Sequence, residues 1–306
     1  PTRTGTTYMS MSAGQVDTAR LRVGLIGAGR VGAPFAAALA SAGHTVMGVH
    51  AVSAASKDRA ELLLPGVPIL SADEVARTCD LLILTPPDDA LAELAHGLHT
   101  TGALQAGQIL VHTAGRFGAG IFNDVLSSNI LPLAIHPIMT FSGTSVDLKR
   151  MQGAFVGGTA PTQLLPIAQA LVIEMGGEPI TIAEEDRATY HLALAWSTNF
   201  ITSIVAQGAD LLKSIGIRET EALLHPLLDA AVDNVLRRGD QALTGPIARG
   251  DVGSVAAHIE TIKREHPELL QPYRVLGRLT AERALASGML TADRATSLLA
   301  LLGDAS

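Results

Sequence analysis

Arg22-Val23-Gly24-Leu25-Ile26-Gly27-Ala28-Gly29-Arg30-Val31-Gly32 carries a buried-strand run straight into G-x-G-x-x-G and on into an alanine-rich helix. Each glycine has a separate reason to be there. Gly27 permits a sharp turn, Gly29 lets the backbone approach a pyrophosphate, and Gly32 lets the helix pack closely on the strand. The helix N-terminus, reached through Arg30 and Val31, offers N–H groups and a partial positive charge to phosphates. Glycine makes up 30 of the 306 residues, so the motif alone is weak and its context decides. A helix over Val31 to Ala42 closes at Gly43, a favoured residue just past a helix end, and a second strand, Thr45 to Val49, completes the β-α-β unit.

Short apolar runs continue to alternate with helical stretches as far as about Ile182, the pattern of a doubly wound parallel sheet covered on both faces. The predicted strands are Val23 to Ile26, Thr45 to Val49, Leu81 to Leu84, Ile109 to His112, Leu133 to His136 and Ala154 to Gly157. Ligands of such sheets sit beyond the carboxyl ends of the strands. That places Thr85-Pro86-Pro87-Asp88, Thr113-Ala114-Gly115 and His136-Pro137 where chemistry is to be sought. After Gly176-Gly177-Glu178-Pro179 the pattern changes to long apolar-periodic segments at about 186–215, 218–238, 252–265 and 267–287, an all-α region. The expected organisation is an α/β chain: a tail at 1–19, a Rossmann-type dinucleotide-binding domain at 20–183, and a helical substrate and dimerisation domain at 184–306.

A net charge of −7 with no basic run argues against a nucleic-acid partner held through phosphates. No apolar run reaches the ~18 residues of a membrane span, and residues 1–19 lack the apolar core of a signal peptide. The single cysteine, Cys79, excludes an intramolecular disulfide and fits a reducing, cytoplasmic compartment; it reads as a buried bystander. No cluster of histidines and carboxylates has metal-ligand spacing, so no metal is expected.

An NAD site places Asp or Glu at the end of the second strand, to bind the ribose 2′-hydroxyl. This chain has His50-Ala51-Val52-Ser53 there, followed by Ser56, Lys57 and Arg59. Hydroxyls and cations without a carboxylate favour NADP. The alternative for Lys57 and Arg59 is that they are merely solvated charges at a helix start.

His136 ends a strand on the edge where a nicotinamide would lie, and a histidine can exchange a proton near neutral pH. His112 ends the preceding strand and is the weaker candidate. The apolar helix from Tyr190-His191 to Asn199-Phe200 carries polar groups where burial is expected, so Asn199 is either a structural bridge or a substrate ligand. The segment Thr244-Gly245-Pro246-Ile247-Ala248-Arg249-Gly250-Asp251 breaks the helices with hydroxyl, cation and carboxylate, and His258 follows about two turns along the next helix. Arg249 suits a substrate carboxylate, whereas Asp251 also reads as a helix N-cap.

These residues resemble a family of Rossmann-like proteins with a helical C-terminal domain of unknown function 2520. The resemblance rests on Gly27 to Gly32, Thr85 to Asp88, His112 to Gly115, His136-Pro137, Tyr190-His191, Asn199 and above all Thr244 to Asp251 with His258. Ala114 departs from it, since the family more often has Ser there. The two-domain plan is also similar to ketopantoate reductases, pyrroline-5-carboxylate reductases and prephenate dehydrogenases, nicotinamide enzymes of small carboxylates. Ketopantoate reductases commonly place a lysine four residues before a helical asparagine, and Ala195 stands in that place here. Lys213 is 14 residues from Asn199, roughly 21 Å along a continuous helix, and cannot substitute. Similarity to prephenate dehydrogenases points to His136 as the acid, with His191 and His258 as alternatives.

The resemblance implies an NADPH-dependent reductase of a small 2-oxo acid, with reduction of 2-dehydropantoate to pantoate as the leading substrate assignment. The expected site comprises His136, Asn199 and His191 for catalysis and Thr244, Arg249, Asp251 and His258 for the substrate. Gly27, Gly29, Arg30, Val31, Gly32, Ser53, Ser56, Thr85 and Pro86 are expected to hold the cofactor. The alternatives are an imine reductase or prephenate-type dehydrogenase, and a non-catalytic NADP-binding sensor or assembly subunit. The Ala- and Leu-rich helices are expected to pack a second copy as a homodimer, although a helix face buried within one chain reads the same.

Overall fold

The computed structural model describes residues 20–303, so the tail expected at 1–19 lies outside the described residues. The chain divides into two compact units at Phe200/Ile201.

The first unit is a seven-stranded sheet with helices on both faces. Its strands are β1 (Arg22–Ile26), β2 (Thr45–His50), β3 (Leu81–Leu84), β4 (Ile109–His112), β5 (Leu131–Pro137), β6 (Phe155–Thr159) and β7 (Glu178–Thr181), in the order β2-β1-β3-β4-β5-β6-β7. Helices α1 (Gly32–Ser41), α2 (Ala54–Leu63), α3 (Ala72–Arg77), α4 (Leu91–Thr100), α5 (Val146–Met151) and α6 (Leu165–Glu174) connect them. Side chains alternate between two apolar layers, as the two-residue period of a strand requires. Val23, Leu25, Leu81 and Ile83 face the layer that holds Phe35 and Leu39 of α1. Leu82, Leu84 and Leu110 face the layer that holds Leu98 and Phe122.

All six expected strands are present, each within two residues at either end. Two features differ from the expectation. β5 and β6 run antiparallel, while the remaining pairs are parallel. The connection between them, residues 138–154, carries one short helix, α5. The chain turns back beyond the carboxyl end of β5 and pairs β6 against it in the opposite direction. The second difference is β7, which the sequence conceals because Pro179 interrupts it and no apolar run marks it; as the edge strand of the sheet it tolerates a proline.

Helix α7 (Arg187–Ser214) starts in the first unit and continues past the division. The second unit goes on through α8 (Thr220–Arg238), α9 (Gly245–Arg249), α10 (Val252–Glu265), α11 (Leu270–Ala286) and α12 (Ala292–Leu302). Its core gathers Ala248, Val255, Ile259, Ala281, Ala284, Leu290 and Leu298. The two long helices are unusual in what they bury: Arg187 alone on α7 and Thr220 alone on α8.

Candidate functional site

β1 and β3 are adjacent, with β2 and β4 on opposite sides of them, so a crevice opens between their carboxyl ends. The fingerprint fills it as its glycines demand. Gly27 has φ +102°, and a Cβ on it would meet the Thr85 carbonyl oxygen at 2.6 Å. A Cβ on Gly32 would stand 2.2 Å from both Gly27 O and Thr85 Oγ1, so helix α1 can approach β1 and β3 only without a side chain there. Gly29 has nothing within 4 Å and leaves the space open that a pyrophosphate needs. No side chain caps α1 at Val31, and although Ala33 N donates to Gly29 O at 3.3 Å, the Gly32 N–H at the start of the helix is left to a ligand. Thr85 Oγ1 donates to Gly27 O and locks the two loops together. These features fit a dinucleotide.

Beside the fingerprint, Arg59 Nη1 donates to Ala28 O at 2.9 Å. A Cβ on Gly143 would lie 2.6 Å from Arg59 Nε and 3.2 Å from Arg30 Cγ, so two arginine side chains and this loop converge beside the fingerprint. Ser53 caps α2, its hydroxyl accepting from Ser56 N at 3.2 Å. It lies at the end of β2, with Lys57 exposed on the next turn. The loops after β3 and β4 are tied by Arg116, which pairs with Asp88 at 3.4 Å and Asp89 at 2.5 Å.

Two cavities adjoin the strand ends. One, of about 300 Å³, runs from Gly29, Arg30, Val31 and Gly32 past Thr85 and Pro86 to Thr113, Ala114, Gly115, His136 and His191. The other, of about 240 Å³, is lined by His136, Met139, Thr140, His191, Thr198 and Asn199, among others. His136 and His191 line both. The structure thus brings together three of the expected catalytic residues, and His136 and His191 also join the cofactor fingerprint across one cavity. Asn199 is exposed within the chain, which corrects the expectation that burial would force a partner on it: α7 presents this face outward.

His136 Nδ1 lies 2.7 Å from Tyr190 Oη. Its Nε2 is directed at Gly115, where a Cβ would stand 3.0 Å away. Burial, with the Arg187 and His191 charges adding to it, lowers its pKa to about 4. His112 is fully buried, its Nε2 donating to Gly118 O at 2.9 Å and its Nδ1 accepting from Ala114 N at 3.2 Å. It shapes the β4 loop and has no nitrogen left for a substrate; burial brings its pKa to about 4 as well. Cys79 is buried with its thiol pushed up to about 12, as a bystander should be.

Arg187, which the sequence did not single out, and Tyr190, which entered only through the family resemblance, both adjoin His136 in the structure. Arg187 is 1% exposed and donates to Thr159 Oγ1 at 2.7 Å, Gly157 O at 3.0 Å, Ala134 O at 3.2 Å and Gly115 O at 3.4 Å. It therefore pins the carboxyl end of β5 to β6 and to the β4 loop. One signal was available: a cation at the first position of a long helix opposes the helix dipole and calls for another reason to be there.

Thr244, Arg249, Asp251 and His258 belong to the second unit. Asp251 caps α10, its carboxylate accepting from Ser254 N at 3.0 Å and from the Ser254 hydroxyl at 2.6 Å. Arg249 ends α9 with its side chain exposed. His258 Nδ1 lies 2.9 Å from Tyr273 Oη. Among the described residues no group of three or more His, Cys, Asp or Glu could hold a metal ion, and no helix is long and apolar enough to cross a membrane.

The two buried histidines make stability depend on pH. In the unfolded chain each titrates near its ordinary 6.5, and in the folded chain at about 4. Between those values the unfolded state binds more protons, so stability is complete above about 6.5 and is lost as pH falls toward 4, by on the order of 3 kcal/mol per histidine. Urea midpoints measured from pH 7 to 4.5 should fall steeply for the wild type and less steeply for His112→Asn. Equal slopes would remove His112 as a source of the acid sensitivity.

Residues 8–137 match the Rossmann-like domain, and residues 154–280 match the domain of unknown function 2520. No curated protein matches the sequence. Among solved structures, the chain is similar to BF3122 from Bacteroides fragilis, described as a "putative NADP oxidoreductase", at TM-score 0.72 and 24% identity over 86% of this chain and 98% of that one. It is similar to protein TM1727 from Thermotoga maritima at TM-score 0.64 and 22% identity, covering 87% and 99%. It is also similar to an imine reductase from Pseudomonas sp. at TM-score 0.57 and 17% identity, covering 93% of each chain. At these identities the likeness establishes the fold. The chain thus carries a Rossmann-like domain followed by the helical domain of unknown function 2520.

Proposed function

We propose that this protein is an NADPH-dependent reductase of a small 2-oxo acid, with 2-dehydropantoate as its substrate and pantoate as its product. The observation that carries this reading is the pair His136 and His191, which lines both the cavity along the dinucleotide fingerprint and the cavity at Asn199. A carbonyl seated at that shared wall would lie between a cofactor and a proton donor. A reduced nicotinamide, when bound, supplies the hydride. The N-terminus of α1 and Arg30 hold the pyrophosphate, and Ser53, Ser56, Lys57 and Arg59 receive the 2′-phosphate that distinguishes NADPH. His136 Nε2 gives the proton to the carbonyl oxygen, and Thr140 and Asn199 orient a small, oxygen-rich substrate. The described structural neighbours fit nicotinamide chemistry, including one named an NADP oxidoreductase and one named an imine reductase. The latter likeness, with no lysine at Ala195, favours imine reduction as the second reading. Turnover of NADPH with 2-dehydropantoate, set against NADH and against cyclic imines, tests the assignment.

We also propose that a second copy covers α7 and α8. Leu192, Trp196, Phe200 and Ile204 on α7 and Leu227, Val235 and Leu236 on α8 are all between 46% and 81% exposed. On each of the two helices these side chains leave large apolar groups uncovered, the kind of surface that a partner buries. A molar mass by light scattering of about 63 kDa, twice the 31.7 kDa chain, is expected. Trp196→Asp combined with Leu236→Asp should shift the protein to monomer; a wild-type monomer contradicts the proposal.

A further inference from the structure

Reduction of a carbonyl at the His136 wall, the reading on which this inference rests, consumes a proton that the imidazole alone cannot supply. Burial next to Arg187 keeps His136 neutral at physiological pH, so its ring holds one proton. Releasing it would leave an imidazolate unless a second proton arrives at the other nitrogen.

Such a donor is in place. Tyr190 lines neither cavity and stands behind His136, its hydroxyl 2.7 Å from Nδ1 and its ring edge-on at 5.6 Å between centroids. Its environment raises its pKa to about 12, so the phenol keeps its proton. A part-buried hydroxyl needs an acceptor, and among the described residues His136 Nδ1 is the one within hydrogen-bond reach. Tyr190 Oη–H therefore donates to Nδ1, which puts the ring's own proton on Nε2, the nitrogen that faces Gly115 and the cofactor cavity. Arg187 completes the set. Its guanidinium carbon lies 5.6 Å from the Tyr190 ring centroid. All four of its hydrogen-bond acceptors are neutral oxygens. A buried cation whose direct hydrogen-bond partners are all neutral attracts any negative charge that forms beside it. The other charged or titratable groups facing this cluster are His191, His112, which feels both Arg187 and His136, and, toward Arg187, Glu184.

We propose that Tyr190, His136 and Arg187 form a proton relay in which Tyr190 Oη is the source of the proton delivered through His136 and Arg187 holds the tyrosinate left behind. The carbonyl carbon gains hydride with its electron pair from the reduced nicotinamide, which is oxidised, and the C=O π pair moves onto oxygen. That oxygen takes the Nε2 proton while the Tyr190 hydroxyl proton moves to Nδ1. The imidazole ends neutral in the other tautomer, the product is the alcohol, and the negative charge rests on Tyr190 beside Arg187. A proton from solvent restores the phenol after product leaves. Tyr190 acts through His136 and is a positioning and relay residue.

The test is Tyr190→Phe in the full-length protein, which keeps the ring and removes the hydroxyl. With NADPH and 2-dehydropantoate, kcat should fall about 100-fold or more while KM and NADPH affinity stay within about twofold. Nitrogen NMR of His136 provides a readout independent of turnover. The wild type should show the proton on Nε2 alone, and Tyr190→Phe a mixture of tautomers. Unchanged kcat in Tyr190→Phe, or a wild-type proton on Nδ1, overturns the relay. A wild type that reduces no substrate contradicts the reductase reading, and the tautomer then decides the relay by itself.

Discussion

In steady-state kinetics His136→Asn is expected to cut kcat by about 10²–10⁴-fold, the usual contribution of a positioned general acid, while NADPH affinity remains that of the wild type. The separation follows from where His136 stands. It lines the far end of the cavity that begins at Gly29 and Arg30, away from the groups that meet the pyrophosphate, and its Nε2 faces Gly115. Asparagine can still meet the Tyr190 hydroxyl but has no second nitrogen to present to a substrate. Binding should therefore survive and chemistry should not. Equal turnover in the variant would take His136 out of the mechanism and leave His191, which lines the same two cavities, as the candidate acid.

Gly32→Ala should have the second largest effect, this time on the fold of the cofactor loop. The added methyl would sit 2.2 Å from Gly27 O and from Thr85 Oγ1. One of these atoms is backbone in a turn already held at φ +102°, so α1 has to move away from β1. Overpacking of this kind costs about 1–3 kcal/mol. Because the displaced helix N-terminus is also the expected phosphate site, NADPH affinity should fall by about tenfold for each 1.4 kcal/mol of binding lost. Denaturant midpoints and NADPH fluorescence titration measure both. A variant with wild-type stability and affinity would mean that the close packing of α1 on the fingerprint is dispensable. Gly29→Ala makes a useful contrast: nothing lies within 4 Å of Gly29, so its substitution should spare stability and weaken only the dinucleotide.

The sheet was readable because buried parallel strands write themselves as uninterrupted apolar runs, as in Leu81 to Leu84 and Ile109 to His112. β7 was not readable, since an edge strand needs no such run and accepts Pro179. The antiparallel placement of β6 was not readable either, since its apolar run carries no mark of direction. At the site, His136 and the three glycines were legible from their positions at strand ends. Arg187 was not, because a charged residue after Glu184-Glu185-Asp186 looks like a solvated helix start. Only tertiary structure shows four neutral acceptors around it. Asn199 lines one cavity with His191 although it is exposed and not buried as expected, since the helix that carries it leaves this face uncovered. Asp251 turned out to have the capping role that its sequence also allowed.

The most direct test of the central claim is to follow NADPH absorbance on adding 2-dehydropantoate to the purified protein, with NADH and other small 2-oxo acids in parallel. Rapid oxidation with NADPH and 2-dehydropantoate, and slow or no oxidation with NADH, is the predicted result. Tight NADPH binding with no oxidation by any 2-oxo acid would contradict it.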